Sequence, residues 1–332
     1  GRLEKIAEGP REACNSKFKP YMKGIGAAPE GILNNPVVYD LIFDAAWRPF
    51  EFKVKDWLPA YSSYRYGKFD DKIISAWNIF LETAYRSDDK YQEGPSETVF
   101  CARPSLLIPS ASTWGTRVLY YDTAHFEKGV RLFAEAARDF RAVETYRYDL
   151  VDFTRQVLAN RGQFHYDALV KAFNDKNRTS YEKHSQAFLS LMLMQDELLS
   201  THADFMLGKW LRDAWYFMEE KSEKYVCDWN ARVLVTYWGP DNPQTSLHDY
   251  AHKEWAGLIK DFYYPRWKMF LDSLHWELMG MERIELNFFS FETSWANQRK
   301  EYAVMPAGDC IKTAARILKK IEKREYANIA DN

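Results

Sequence analysis

Gly24-Ile25-Gly26-Ala27-Ala28-Pro29-Glu30-Gly31-Ile32-Leu33-Asn34-Asn35-Pro36-Val37-Val38-Tyr39 is the stretch on which the fold turns. Glycine and proline crowd residues 24–31, just after a brief apolar segment at Tyr21-Met22. Asn35-Pro36 then offers a helix cap followed by proline at the first helical position. Val37, Val38, Leu41, Ile42, Ala45 and Ala46 continue with helical spacing. A possible strand, a loop and a helix in this order form the repeating unit of an α/β barrel. One such unit cannot bury itself, so it is either a minor appendage or the start of the chain inside a barrel.

From about residue 50 onward the pattern is helical nearly throughout. Amphipathic spacing predicts helices over 57–66, 70–86, 123–140, 145–174, 179–204, 207–220 and 223–235. A further helix over 247–279 is expected to be the longest, and a final one runs from Asp309 to about Lys323. The mixed segment 283–307 suits a short strand pair or a loop. No period of roughly 30–45 residues repeats, which disfavours a solenoid.

The chain has 332 residues and a formal net charge of −2. That balance argues against nucleic acid as the main partner, since phosphate binding needs a basic face. No apolar run approaches the ~20 residues of a membrane span, and residues 1–5 lack the order of a signal peptide. Aromatic residues make up 16%. They suit a core of large side chains, and equally a surface that stacks on sugar rings. Cys14, Cys101, Cys227 and Cys310 are far apart with no C-x-x-C pair, which argues against zinc.

Three constellations bear on chemistry. Glu30 sits among small residues at a strand-to-helix turn, where barrel enzymes place catalytic groups; a solvated loop carboxylate is the other reading. The stretch has no third glycine for a dinucleotide fingerprint, because Pro29 occupies that place. Tyr237-Trp238-Gly239-Pro240-Asp241 leads into Ser246-Leu247-His248-Asp249-Tyr250, where Ser246 and Asp249 fit a capping box. Behind it Leu247, Ala251, Trp255, Leu258 and Phe262 mark a helical stripe. This cluster either lines a sugar pocket or seals a helix end. His248 and His252 are spaced like metal ligands on one helix face, but no H-E-x-x-H accompanies them. Neither a G-x-S-x-G elbow nor a P-loop occurs.

Taken in order, several stretches carry a resemblance. Residues 24–39 resemble the nucleophile segment of the α-N-acetylglucosaminidases, glycoside hydrolase family 89. Arg103-Pro104-Ser105-Leu106, Arg147–Gln156, Leu207-Gly208-Lys209-Trp210-Leu211, Trp238-Gly239-Pro240, Asp249-Tyr250-Ala251 and Tyr263-Tyr264-Pro265-Arg266-Trp267 resemble that family's helical domain.

The resemblance implies a mainly α chain. Residues 1–50 would be the last βα part of a (β/α)8 barrel, and residues 51–332 an all-helical carboxy-terminal domain covering the active site. It further implies an exo-acting retaining hydrolase that releases terminal α-linked N-acetylglucosamine from a glycan. Glu30 would be the nucleophile, with Trp238, Tyr250 and Leu247 binding the sugar. Two carboxyl groups ~5–5.5 Å apart are needed. The acid/base is implied to lie in an upstream barrel segment, which makes the chain a fragment. No cofactor or metal is implied, and an exported protein is expected: lysosomal, secreted or periplasmic. The alternatives are a non-catalytic helical carbohydrate-binding or interaction module, and the same machinery acting on a different α-linked sugar.

Overall fold

The computed structural model describes residues 1–29, 35–48, 51–86, 96–239, 241–323 and 326. Among these residues every regular element is a helix. The only strand-like pairings are two isolated bridges, Ser96 with Thr116 and Met206 with Ala256. In chain order the helices are α1 (Leu3–Asn15), α2 (Pro36–Ala46), α3 (Val54–Tyr66), α4 (Asp71–Glu82), α5 (Thr123–Glu135), α6 (Ala137–Phe140) and α7 (Glu144–Asn174). They continue as α8 (Arg178–Leu199), α9 (Leu207–Ala214), α10 (Lys224–Leu234), α11 (Tyr264–Leu278), α12 (Phe288–Ala296) and α13 (Cys310–Lys320). Two compact units emerge: residues 1–91 with 119–146, and residues 92–118 with 147–332.

In the first unit, aspartates start α4 and α5. The Asp70 carboxylate accepts from the Lys72 and Ile73 amides, and Asp122 accepts from Ala124 and His125. The core is aromatic: Tyr66 meets Phe133, Phe140 and Tyr146 edge-on, while Trp77 Nε1 donates to Tyr66 Oη at 3.2 Å. Gly129 lets α5 lie directly on α4, since a Cβ there would stand 2.8 Å from the Phe80 ring. Pro36 begins α2 as expected. Asn35 does not cap it, however; its Oδ1 accepts from Tyr85 Oη at 2.9 Å. The possible strand at Tyr21-Met22 is instead a 3-10 turn, Lys19–Tyr21. A strand's amide and carbonyl groups need neighbouring strands, and the described residues offer none. Helix α1 was not among the expected elements, and it holds Pro10 in its interior.

Helix α7, at 31 residues the longest among the described residues, belongs to the second unit from residue 147 onward. Trp267 of α11 is fully buried and donates to the carbonyls of Val99 and Phe100 at 3.2 and 3.1 Å. Tyr181 of α8 ties α11 through Leu271 O at 2.7 Å. The segment 283–307, expected as strand pair or loop, contains α12. Asn287 caps it through the Ser290 amide, and Glu292 and Trp295 are buried along it.

The expected helix over 247–279 is corrected most. Residues 247–257 form turns, and helical backbone begins at residue 258 with a π-turn over Ile259–Tyr263 that runs into α11. Asp249 has φ +58° and Gly257 φ +87°, and neither fits a right-handed helix. Asp249 therefore forms no capping box with Ser246. The start at 257–260 is capped from another helix: Asp196 Oδ1 of α8 accepts from the Gly257 and Lys260 amides at 2.7 and 3.1 Å. Burial pushes the Asp196 carboxyl up, against the pull of those two N–H groups.

Candidate active site

Helix α10 ends in a sharp reversal. Thr236 Oγ1 donates to Arg232 O at 2.7 Å and the Trp238 amide to Val233 O at 3.0 Å. Trp238 then adopts φ +44° and Gly239 φ +127°. A left-handed conformation costs a side-chain-bearing residue about 1–3 kcal/mol, and persists only where the surroundings over-determine it. Two such residues, Trp238 and Asp249, stand at the two ends of one loop. The Asp249 amide joins those ends by donating to Thr236 O at 2.8 Å.

A buried ion network fixes the arrangement. The side chains of Asp249, Arg266 and Glu292 are wholly inaccessible to solvent. Arg266 meets Asp249 with both terminal nitrogens, each at 3.1 Å, and gives Glu292 Oε1 a third bond at 2.7 Å and Cys101 O a fourth at 2.7 Å. Arg103 grips Glu292 through Nε at 3.0 Å and Nη2 at 2.6 Å. Two guanidiniums thus balance two carboxylates, which is what makes ionised groups tolerable in a dry interior. Burial alone would raise the Asp249 carboxyl, but Arg266 and then His248 outweigh it and hold it below its ordinary range. The far end of the loop has its own anchor. Glu254 accepts from Arg155 of α7 and from Gln195 of α8, and Arg155 also holds Asp152.

On this base the Trp238 and Tyr250 rings meet with centroids 5.1 Å apart and planes at 53°, both half-buried. The structure brings these two expected residues together. Leu247 lies on the same loop and is 38% exposed. Glu30 and Pro240 lie outside the described residues. His248 and His252 do not share a helix face. Each turns Nδ1 to Asp249, His248 to the carboxylate at 3.1 Å and His252 to the carbonyl at 2.9 Å.

An exposed aromatic that the sequence reading did not single out is Trp114, 60% exposed. Its loop is rigid: Glu97 accepts from the Ala111 and Ser112 amides at 2.7 and 2.9 Å and from Ser112 Oγ. Gly115 lies so close behind that a Cβ there would be 1.9 Å from Glu97 Cδ. Thr113 Oγ1 donates to Ser246 O at 3.0 Å, which joins this loop to the one bearing Leu247 and Tyr250. The available signal was a lone tryptophan in a Ser/Thr/Gly run, Ser110–Thr116.

Residues 57–320 match the family model of the α-N-acetylglucosaminidase C-terminal domain. The chain belongs to the α-N-acetylglucosaminidase family. Residues 1–49 match the tim-barrel domain of the same family. A curated human α-N-acetylglucosaminidase is 29% identical over 336 residues, spanning 98% of this chain and 44% of its own length. A family 89 glycoside hydrolase from Clostridium perfringens, in complex with 2-acetamido-1,2-dideoxynojirmycin, superposes with a TM-score of 0.91 at 35% identity. It covers 96% of this chain and 37% of its own. A substituted form of the Clostridium perfringens protein, in complex with its substrate GlcNAc-α-1,4-galactose, superposes at 0.90 with 34% identity over the same shares. This chain therefore spans less than half the length of these relatives. Among the described residues no helix is long and apolar enough to cross a membrane.

Proposed function

We propose that this chain is the carboxy-terminal part of an exo-acting retaining glycosidase that releases terminal α-linked N-acetylglucosamine. Residues 1–50 supply the end of the catalytic barrel, and residues 51–332 the helical domain. Glu30 attacks the anomeric carbon, forming a glycosyl ester as the bond to the leaving oxygen breaks. An acid in the preceding barrel segment protonates that oxygen, then activates the water that hydrolyses the ester. Trp238, Tyr250 and Leu247 contribute the wall against which the sugar packs. No cofactor enters this chemistry, and the protein is exported.

The observation that carries this reading is the Trp238–Tyr250 corner. Two half-buried rings stand 5.1 Å apart on a loop with left-handed residues at both ends, locked by a solvent-free ion network. Such fixity is more than a solvated loop needs, and suits a preorganised sugar subsite. The family membership and the substrate complex of the Clostridium perfringens relative support the choice of sugar.

The test is Trp238→Ala, assayed in the polypeptide that joins this chain to its barrel, with a chromogenic α-N-acetylglucosaminide. kcat/KM should fall about a hundredfold, on the order of 2–3 kcal/mol, with the fold unchanged. Wild-type kinetics would make the tryptophan merely structural. Intact-mass analysis bears on the fragment reading: a single 39.1 kDa species with full activity refutes it.

A further inference from the structure

The second unit holds a cavity of about 720 Å³ between α9, the start of α10 and residues 299–304, a volume ordinary for a small-ligand site. None of its lining residues belongs to the Trp238 corner. Five cationic and two carboxylate side chains line it; Arg212, Lys224 and Lys300 are paired with Asp213, Glu301 and Asp261, and Asp228 with Arg232, which leaves two cations unneutralised in a chain whose net charge is −2.

What holds those cations matters more than their number. Lys221 and Arg299 have no carboxylate partner among the described residues. Arg299 lies 5.1 Å over the ring of Tyr225, whose hydroxyl is fixed by Asn297 Oδ1 at 2.8 Å. Lys224 also stands 3.8 Å over the Trp215 ring, but it is paired with Glu301 at 3.1 Å and so is not one of the unneutralised cations. An aromatic face orients a cation without neutralising it, whereas a carboxylate does both. Behind them the wall is closed. Gly208 admits the backbone of residues 302–303 so closely that a Cβ there would be 2.2 Å from Ala303 O. Trp215 lines the same cavity, and its Nε1–H has no hydrogen-bond partner among the described residues.

We propose that this cavity binds a small ligand bearing two or more phosphate or sulfate groups. Lys221 and Arg299 take the oxyanions, and the Trp215 N–H donates to one oxygen. Two sources share this chemistry, a sulfated saccharide and a phosphorylated metabolite.

Isothermal titration of the 332-residue chain separates them, with a disulfated disaccharide, the same disaccharide without sulfate, and inorganic pyrophosphate as probes. Saturable binding of a charged probe is expected, weakening as salt is added. The tighter of the two charged probes identifies the source. The uncharged disaccharide should not bind here. The double variant Lys221→Gln/Arg299→Gln, both positions being exposed, should keep its Tm and lose at least tenfold in affinity. Trp215→Phe, which deletes the N–H and keeps the ring position, should lose severalfold. No saturable binding of either charged probe overturns the proposal. So does undiminished binding by the double variant, or equal binding of the two disaccharides. This outcome is independent of glycosidase activity.

Discussion

Replacing Arg266 by methionine tests how the Trp238 corner is held. The side chain makes four hydrogen bonds and is the sole guanidinium on Asp249 among the described residues. Glu292 keeps Arg103, so the substitution strands one buried carboxylate rather than two. Removing one partner of a buried ion pair costs about 3–5 kcal/mol. For a unit of about 200 residues this corresponds to a fall of roughly 10 °C in Tm. Asp249 would then keep only His248 against burial, and its carboxyl would rise. In the native protein its depressed carboxyl contributes stability that is present above the unfolded carboxylate value and lost as pH falls through the native one. The variant should therefore lose that part of its acid lability. Calorimetry across pH measures both effects, and near-ultraviolet circular dichroism follows the Trp238–Tyr250 pair. Asp249→Asn introduced into the same background should restore about 1–2 kcal/mol by removing the stranded charge. An Arg266→Met protein within about 0.5 kcal/mol of wild type, with unchanged aromatic dichroism, refutes the claim that this network fixes the loop.

Four further outcomes are expected. Trp238→Gly should be more stable than Trp238→Ala by about 1 kcal/mol in denaturant melts, since glycine adopts φ +44° without strain. Gly162→Ala should destabilise by about 1–3 kcal/mol, because its Cβ would lie 2.3 Å from the Phe100 ring; an unchanged midpoint would show that the ring can yield. Buried His165, with Nδ1 2.9 Å from His184 Nδ1, is lowered to about 4 by burial and then by His184. Its unfolded form takes a proton first, so stability should fall as pH drops from about 6.5 towards that value, and His165→Phe should flatten the loss between these limits. Trp114, exposed on the loop tethered to Ser246, is proposed to meet the sugar beyond the terminal one: Trp114→Ala should raise KM for a GlcNAc-terminated disaccharide severalfold while leaving an aryl glycoside unaffected, and parallel changes with both substrates would refute that contact.

Much of the helical layout could be read from spacing, because helices 36–46, 54–66, 123–135, 144–174 and 310–320 present apolar residues at three-to-four intervals and carry local start signals such as Asp122 and Asp309. The failures share a cause. At 247–257 the apolar spacing is helical, but the backbone obeys Arg266, Thr236 and Asp196, which lie 17, 13 and 61 residues from the groups they bind. Periodicity sees neighbours and is blind to such partners. Asn35 illustrates the same point, accepting from Tyr85, 50 residues away. Trp238 and Tyr250 entered through family likeness, and their convergence needed the coordinates. For Trp114 the sequence offered only its place in a Ser/Thr/Gly run, since the tether from Thr113 to Ser246 crosses 133 residues.

The interleaving of the two units constrains how this polypeptide can be dissected. Residues 92–118 pack with residues 147–332, while 119–146 return to the unit begun at residue 1. No single scission liberates either unit whole. A truncation at residue 51 would remove α1 and α2 with the buried Leu3, Val37 and Leu41, and would take from α3 its packing against α1 and the Asp44 carboxylate to which Trp57 Nε1 donates at 2.5 Å. Engineers wishing to graft the helical portion onto another scaffold should carry the amino-terminal helices with it. A single protease cut near residue 118 should leave the two pieces associated, since each unit draws chain from both sides of that point.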